Sequence, residues 1–473
     1  MITYDDEDYT GSAQILYCVE ENLQYPDYYD QNLYIHEDLY GFPITKICDG
    51  AFSNCQSLMA INLPTTIDTI GVGAFVNLSN LQSVQFYRPS FIESAPSLCI
   101  SERAFANCSS LHFLDTPESL EVSGLKDCAF LNCTSLADLM FLSGSSPLDS
   151  IGNGCFAGCS SLGWISLPNS LTYIGEGAFL YCTSLQSISI PSEVTEIGKY
   201  AFAECSGLTT VTLNNRIETI NEATFLKCIK LRSITIPNSV TTIGNYAFTA
   251  CRELIRATLS NNLTTIGDRA FSGCYALTNL NIPNSVTTIG NYAFLGGRVG
   301  IEAWRPSTSG IDLSIAVMEE ALAYDMGSLK TITFGSNVNS IGAHSFVGHI
   351  PESITCMAST PPALLTGIFT YHDVFDELAY DSTMLYVPKV LVNAYREADG
   401  WKKFVNINGI EVFGNGDANG DGETNVSDVV NLINALLNDD PTGINAVNAD
   451  INGDGEVNVT DIIDIINLLL NNE

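Results

Sequence analysis

Residues 182–202 carry a pattern of hydrophobic and polar positions that the chain repeats for most of its length. Leu185, Ile188 and Ile190 alternate with polar residues, the period of a short half-buried strand, and Pro191 ends it. Val194 and Ile197 then form a second, shorter extended segment, Gly198 turns the chain, and Ala201-Phe202 closes the unit. The closing phenylalanine recurs at 156, 179, 202, 225, 248, 271 and 294, a strict interval of 23. Phe52 and Phe75 are also 23 apart, whereas Phe105 and Phe130 sit at spacings of 30, 25 and 26, which reads as loop insertions in the early units. The interval of 52 from Phe294 to Phe346 reads as one degenerate unit, with Ala321-Leu322 in place of Ala-Phe and the strand pattern restored from Leu329 to Phe334. About thirteen units of about 23 residues result.

No single unit can bury these side chains, but stacked units can, because each Leu, Ile and Phe lands on its counterpart about 4.8 Å away. The expected fold is a mainly β repeat, a solenoid of parallel strands. Residues alternating with the buried ones face outward from the strand side, expected to be concave. One outward column reads Phe113, Asp138, Trp164, Ser187, Thr210, Ser233, Arg256, Asn279, and its neighbour reads Asp115, Met140, Ser166, Ser189, Thr212, Thr235, Thr258, Asn281. Short hydroxyls and amides that solubilise a sheet dominate both. Phe113, Asp115, Asp138, Met140 and Trp164 depart from that rule on three consecutive units, and exposed aromatics beside carboxylates suit a protein or glycan ligand. The alternative is that the early insertions fold back over them.

Nine of the fifteen cysteines (Cys55, Cys108, Cys133, Cys159, Cys182, Cys205, Cys228, Cys251 and Cys274) each lie three residues after a repeat phenylalanine. They are expected to stack as reduced, buried thiols behaving as small apolar side chains. The odd total cannot pair fully within one chain, and Cys-x-x-Cys does not occur.

Charge locates the domain edges. The net charge is −34; residues 1–40 hold ten acids and no base, and residues 414–473 hold twelve acids and no base. The first segment, with eight of the twenty tyrosines, reads as an ordered acidic cap. A nucleic-acid partner is not expected of such a chain, since phosphate recognition needs clustered Lys and Arg. No run approaches the roughly 18 to 20 apolar residues of a membrane span. Met1 is followed by Ile-Thr-Tyr-Asp-Asp-Glu, without the basic and apolar segments of a signal peptide, so export implies that a signal has been trimmed.

After Phe413 two copies of one pattern follow, 33 residues apart. Asp417, Asn419, Asp421, Glu423, Asn425 and Asp428 occupy places one, three, five, seven, nine and twelve of the first, and Asp450, Asn452, Asp454, Glu456, Asn458 and Asp461 those of the second. Gly422 and Gly455 fill the sixth place, where the chain must turn sharply. Such a density of oxygen donors, with backbone carbonyls from Glu423 and Glu456, is a calcium loop, and two loops imply two ions. Duplication argues against two empty Asn/Asp-Gly turns. Each loop leads into one helix with an apolar face (Val426, Val429, Val430, Leu432, Ile433 and Leu436; Ile462, Ile463, Ile465, Ile466 and Leu469), and no helix is expected before either loop.

The repeat, best seen at 231–248 and 277–294, resembles the bacterial surface leucine-rich repeats called BspA-like over roughly residues 41–350. The segments Ile354 to Pro362, Leu385 to Pro388 and Ala394 to Trp401 look like that family's C-terminal cap, giving a cap over 351–413. The loops, with Asp last, look like a type I dockerin over 414–473. These resemblances imply an exported or cell-surface binding protein, calcium, and a cohesin domain on a scaffold as the module's partner. The recognition pair of the dockerin family maps to Val426-Ser427 and Val459-Thr460, and the near symmetry of the copies permits two docking orientations. A purely structural spacer, whose terminal module packs on its own repeat, is the alternative. Dockerins also ride on carbohydrate enzymes, but the five histidines are scattered and no catalytic motif stands out, so the chain is not expected to be an enzyme.

Overall fold

The computed structural model describes residues 3–5, 13–17, 32–90, 96–117, 120–138, 142, 146–296, 327–366, 373–438 and 440–471. The chain divides into two compact units, one running to Ala257 and the other beginning at Thr258.

In the first unit two kinds of parallel strand alternate along the chain, as the sequence pattern requires. The longer ones pair with their counterparts one coil away: Asn32–Tyr34 with Ala60–Pro64, then Ser83–Tyr87, then Phe113–Asp115. The shorter ones pair likewise through Thr69–Ile70, Leu98–Ile100, Val122–Leu125, Ser150–Ile151, Tyr173–Ile174 and Glu196–Ile197. At the N-terminal end Thr3–Asp5 pairs antiparallel with Ala13–Tyr17, which adds parallel to Phe42–Ile47, so the acidic segment joins the sheet. Tyr9, Tyr25, Tyr28 and Tyr29 of that segment lie outside the described residues.

The phenylalanine interval becomes a stack of rings. From Phe52 through Phe75, Phe105, Phe130, Phe156, Phe179, Phe202, Phe225 and Phe248 each ring lies 4.9 to 5.6 Å from the next. All are buried, so each coil contributes one large apolar side chain to a continuous dry column. The residue two before each ring, whether Gly73, Arg103, Cys128, Tyr200, Ala223 or Tyr246, adopts a positive φ of 52° to 64° or close to it. That left-handed residue turns the chain inward so that Ala-Phe points at the axis. Gly198 lies flush on the preceding coil: a Cβ there would stand 2.5 Å from the Glu176 amide nitrogen.

The second unit repeats the arrangement with Asn279–Asn281, Thr331–Phe334, Ser353–Cys356, Met384–Pro388 and Asn406–Ile410 in order in one sheet. One expectation changes here. Asn279–Asn281 pairs directly with Thr331–Phe334, Thr288–Ile289 pairs directly with Ser340–Ile341, and Phe294 stacks on Phe346 at 5.3 Å. No degenerate coil therefore intervenes between 294 and 346; the extra length is an insertion, and Ala321-Leu322 lies outside the described residues. Beyond residue 350, Phe375 continues the ring stack on Phe346 at 5.5 Å and two further strands follow. Beside these strands, α1 (Glu377–Ser382) carries the buried Tyr380, and α2 (Val392–Glu397) carries the buried Tyr395, whose ring lies 5.3 Å from that of the buried Trp401.

The remaining helices, α3 (Val426–Asn438), α4 (Ala446–Ala449) and α5 (Val459–Asn471), form the terminal module. The expectation that no helix precedes either loop holds for the first and fails for the second. Asn445 accepts a hydrogen bond from the Asn448 amide and caps α4, a single turn ending at the second loop. Among the described residues no helix is long and apolar enough to cross a membrane.

Candidate functional site

In the module the 33-residue repeat becomes a paired core. Val429 and Leu432 of α3 meet their counterparts Ile462 and Ile465 of α5, with Ala418 and Ala449 filling the space between. The side chains that remain exposed repeat at the same interval: Val426 and Val459, Val430 and Ile463, Ile433 and Ile466, Leu437 and Leu470. An amphipathic helix normally hides such a stripe, and here both helices leave it open. Ser427 and Thr460 are exposed beside Val426 and Val459. Leu437 and Leu470 were missed in the sequence, although their 33-residue separation pointed to them.

Each loop is wound by its own side chains. Asp417 accepts from the amides of Asp421 and Gly422, at 3.0 and 3.1 Å. Asn419 accepts from the Asp421 amide, and Asp421 from that of Glu423. Asp428 reaches back to the amides of Asn419 and Asn425, at 3.0 and 2.8 Å, while Asn425 accepts from Ser427 at the start of α3. The second loop matches: Asp450 accepts from Gly455, Asn452 from Asp454, Asp454 from Glu456, Asp461 from Ile451 and Asn458, and Asn458 from Thr460.

Asp417, Asp428, Asp450 and Asp461 are buried, at 6%, 0%, 2% and 0% exposed, in a segment with no basic residue. Buried carboxylates without a counter-charge are costly, so the donor set fits a hard cation. Asp450 Oδ1 is buried and makes no hydrogen bond of ordinary geometry. Burial raises the Asp450 carboxyl above the usual range; backbone hydrogen bonds from Gly455 and Gly453 oppose the shift and the neighbouring Asp461 and Asp454 add to it. Among the described residues no three His, Cys, Asp or Glu side chains stand together at metal-binding spacing, and what the loops offer is a mixed set of carboxylate, amide and carbonyl oxygens.

The sequence profile of the dockerin type I domain matches residues 415–470, and that of the BspA type leucine rich repeat region matches 40–97, 94–205 and 174–298 in six copies. The chain belongs to the BspA-type leucine-rich repeat family. Dockerin type I domains bind calcium. Neither family is catalytic, and members of both are typically found at the cell surface or secreted.

No curated protein matches the chain. Among solved structures it is similar to a leucine rich cell surface protein of Faecalibacterium prausnitzii A2-165, at 25% identity over 72% of this chain and 88% of that one, with a TM-score of 0.42. A leucine-rich repeat protein of Bacteroides ovatus is similar at 23% identity over 75% and 92%, with a TM-score of 0.45. The pneumococcal vaccine antigen PcpA is similar at 19% identity over 80% and 89%, with a TM-score of 0.43.

On the BspA-type repeat itself, the outward columns emerge at strand positions. Phe113 and Asp115 flank buried Leu114, and Ser187–Ser189 and Thr210–Thr212 repeat that pattern in register. Phe113 and Trp164 are 39% and 56% exposed, Asp115 is exposed, and Asp138 is half-buried. Met140 lies outside the described residues. Among the described residues Phe113–Asp115 ends one long-strand ladder, Trp164 is in no strand, and the next ladder begins at Ser187–Ser189.

No disulfide joins any of the fourteen described cysteines. In the ladder each thiol does more than fill space: Cys108, Cys133, Cys159, Cys182, Cys205, Cys228 and Cys251 lie with Sγ 3.0 to 3.3 Å from the carbonyl of the preceding coil's phenylalanine. Burial pushes the Cys108 and Cys251 thiols up to about 12.

Proposed function

We propose that this chain is a non-catalytic, exported or cell-surface binding protein. Its module at 414–473, loaded with two calcium ions, anchors it to a cohesin-bearing scaffold, while the long-strand face of the repeat takes a protein or glycan ligand. The observation that carries the anchoring is the matched pair of open apolar stripes on α3 and α5, each beginning where a loop ends. Asp417, Asn419, Asp421, Asn425 and Asp428 with the Glu423 carbonyl hold the first ion, and Asp450, Asn452, Asp454, Asn458 and Asp461 with the Glu456 carbonyl hold the second. Calcium supplies charge neutralisation for the buried carboxylates. The chain's own residues then set the directions of α3 and α5 through the loop hydrogen bonds, so that Val426, Ser427, Val459 and Thr460 face a partner.

The test is binding of the full chain to a panel of cohesin domains, in calcium and in chelator. Calcium-dependent binding, lost when Val426 and Val459 are both changed to Asp, supports the anchor; no binding to any cohesin in calcium removes it. The ligand site is Phe113, Asp115, Asp138, Met140 and Trp164. Substituting Phe113 and Trp164 by Ala is expected to abolish capture on glycan and peptide arrays, and unchanged capture rules the site out.

A second reading, a surface spacer whose module packs on its own repeat, is favoured by one contact. A Cβ on Gly455 of the second loop would stand 2.6 Å from Lys389 Cγ in the repeat's last coils. Failure of every cohesin together with an inert repeat face would leave that reading standing.

A further inference from the structure

The two loops match in sequence but not in surroundings. In the first, Gly420 and Gly422 are exposed, and a Cβ on either would meet nothing within 4 Å. In the second, their counterparts Gly453 and Gly455 are covered: a Cβ on Gly453 would stand 3.1 Å from Phe413 Cδ1, and one on Gly455 2.6 Å from the Lys389 stem. The chain leaving the strand Asn406–Ile410 runs straight along the second loop, where the Gly414 amide donates to the Asp450 carbonyl at 2.8 Å and the Gly416 amide to the Asn448 carbonyl at 2.9 Å. The helix α4, which has no counterpart before the first loop, lies against the 3-10 turn Lys389–Leu391 of the repeat. The buried carboxylate oxygen without an ordinary hydrogen bond belongs to Asp450, at this contact, whereas both oxygens of its counterpart Asp417 accept amides.

We infer that the two loops have different roles: the first is the solvent-open calcium loop, and the second is a calcium-dependent joint that holds the dockerin domain on the last coils of the repeat. The inference rests on the calcium reading above. Emptying the second loop leaves Asp450 as a buried charge beneath the segment 411–416, and the strain falls on the contact with Lys389–Leu391. Emptying the first also leaves buried charges, Asp417 and Asp428, but its glycines Gly420 and Gly422 face open space, so the contact with Lys389–Leu391 is spared. By linkage, whatever the repeat adds to the second loop's order it adds to that loop's calcium affinity.

The experiment is hydrogen exchange on the full chain during a calcium titration, with calorimetry counting the ions bound. Exchange at 389–391 and 411–416 is expected to slow at least tenfold as amides 451–456 become protected, at calcium levels set by the second loop alone. The variant Asp421→Ala, with its first loop disabled, is expected to keep this protection, and amides of α3 report whether its module is folded. Protection at 389–391 that follows amides 418–423 instead, or that calcium leaves unchanged, overturns the joint even if two ions bind. Binding of no calcium to the unaltered chain overturns the calcium reading, and the joint with it.

Discussion

His349 stands at the position where the repeat elsewhere places a cysteine, three residues after Phe346, with its Nε2 2.7 Å from the Phe294 carbonyl. The carbonyl can only accept, so Nε2 carries the proton and Nδ1 is left to accept from the Leu329 amide at 3.4 Å. One imidazole thereby reproduces the thiol-to-carbonyl contact of the ladder and adds a second. Gly296 and Gly327, flanking the insertion, lie against its ring, where a Cβ would come within 2.4 and 1.9 Å of it.

Burial lowers the His349 pKa to about 4, despite opposing hydrogen bonds between the ring and the Phe294 and Gly327 backbone. Its folded value lies below the unfolded one, so the unfolded chain binds more protons in between. The contribution of His349 to stability therefore falls as pH drops from about 6.5 to about 4, by about 3 kcal/mol in all, and then levels off. Urea midpoints across that range are expected to show the decline, and His349→Cys, which restores the repeat's own residue, is expected to flatten it.

The ladder thiols are expected to be silent toward a thiol reagent at pH 8 in the native chain and fully reactive in denaturant, because burial holds them protonated. Cys205→Val removes the contact to the Phe179 carbonyl, which still accepts the Cys182 amide, so a cost of about 1 kcal/mol is expected by denaturation.

Backbone conformation makes two opposite predictions. Ala250 has a φ of 59°, so Ala250→Gly is expected to raise stability by up to about 1 kcal/mol. Gly198→Ala is expected to lower it by roughly 1–3 kcal/mol, since the new Cβ meets a backbone nitrogen that cannot move aside cheaply. Equal midpoints for both variants would show that these coils relax where the stack predicts they cannot.

The insertion after Phe294 is expected to be dispensable for folding. Gly296 and Gly327 donate to the Val347 and Gly348 carbonyls at 2.9 and 2.8 Å, so both ends are pinned to one coil. Replacing 298–325 by a short Gly-Ser linker is expected to leave the thermal midpoint within a few degrees.

How much was legible in the sequence depended on whether a signal was local. The Phe interval and the alternation Leu185, Ile188, Ile190 named the coil because each coil repeats the same few residues. The outward positions of Phe113 and Trp164 followed from the same alternation. The 52-residue interval misled, because Leu329 to Phe334 looks alike whether it follows a degenerate coil or an insertion, and only the pairing of Asn279–Asn281 with Thr331–Phe334 separates the two. The unequal surroundings of Gly422 and Gly455 were invisible for a related reason. The motifs are the same, and the difference lies in Lys389, more than sixty residues away in the chain.

The ring column described above has a consequence for heredity. Because every coil meets its neighbours through the same phenylalanine, and the turn before it is set by backbone conformation rather than by any one side chain, a duplicated or lost stretch of coding sequence one coil long splices into the stack without new contacts having to be invented. Each such event changes the stack by one ring spacing, about 5 Å, and leaves both termini as they were. Reach becomes a quantity that recombination can adjust in fixed steps.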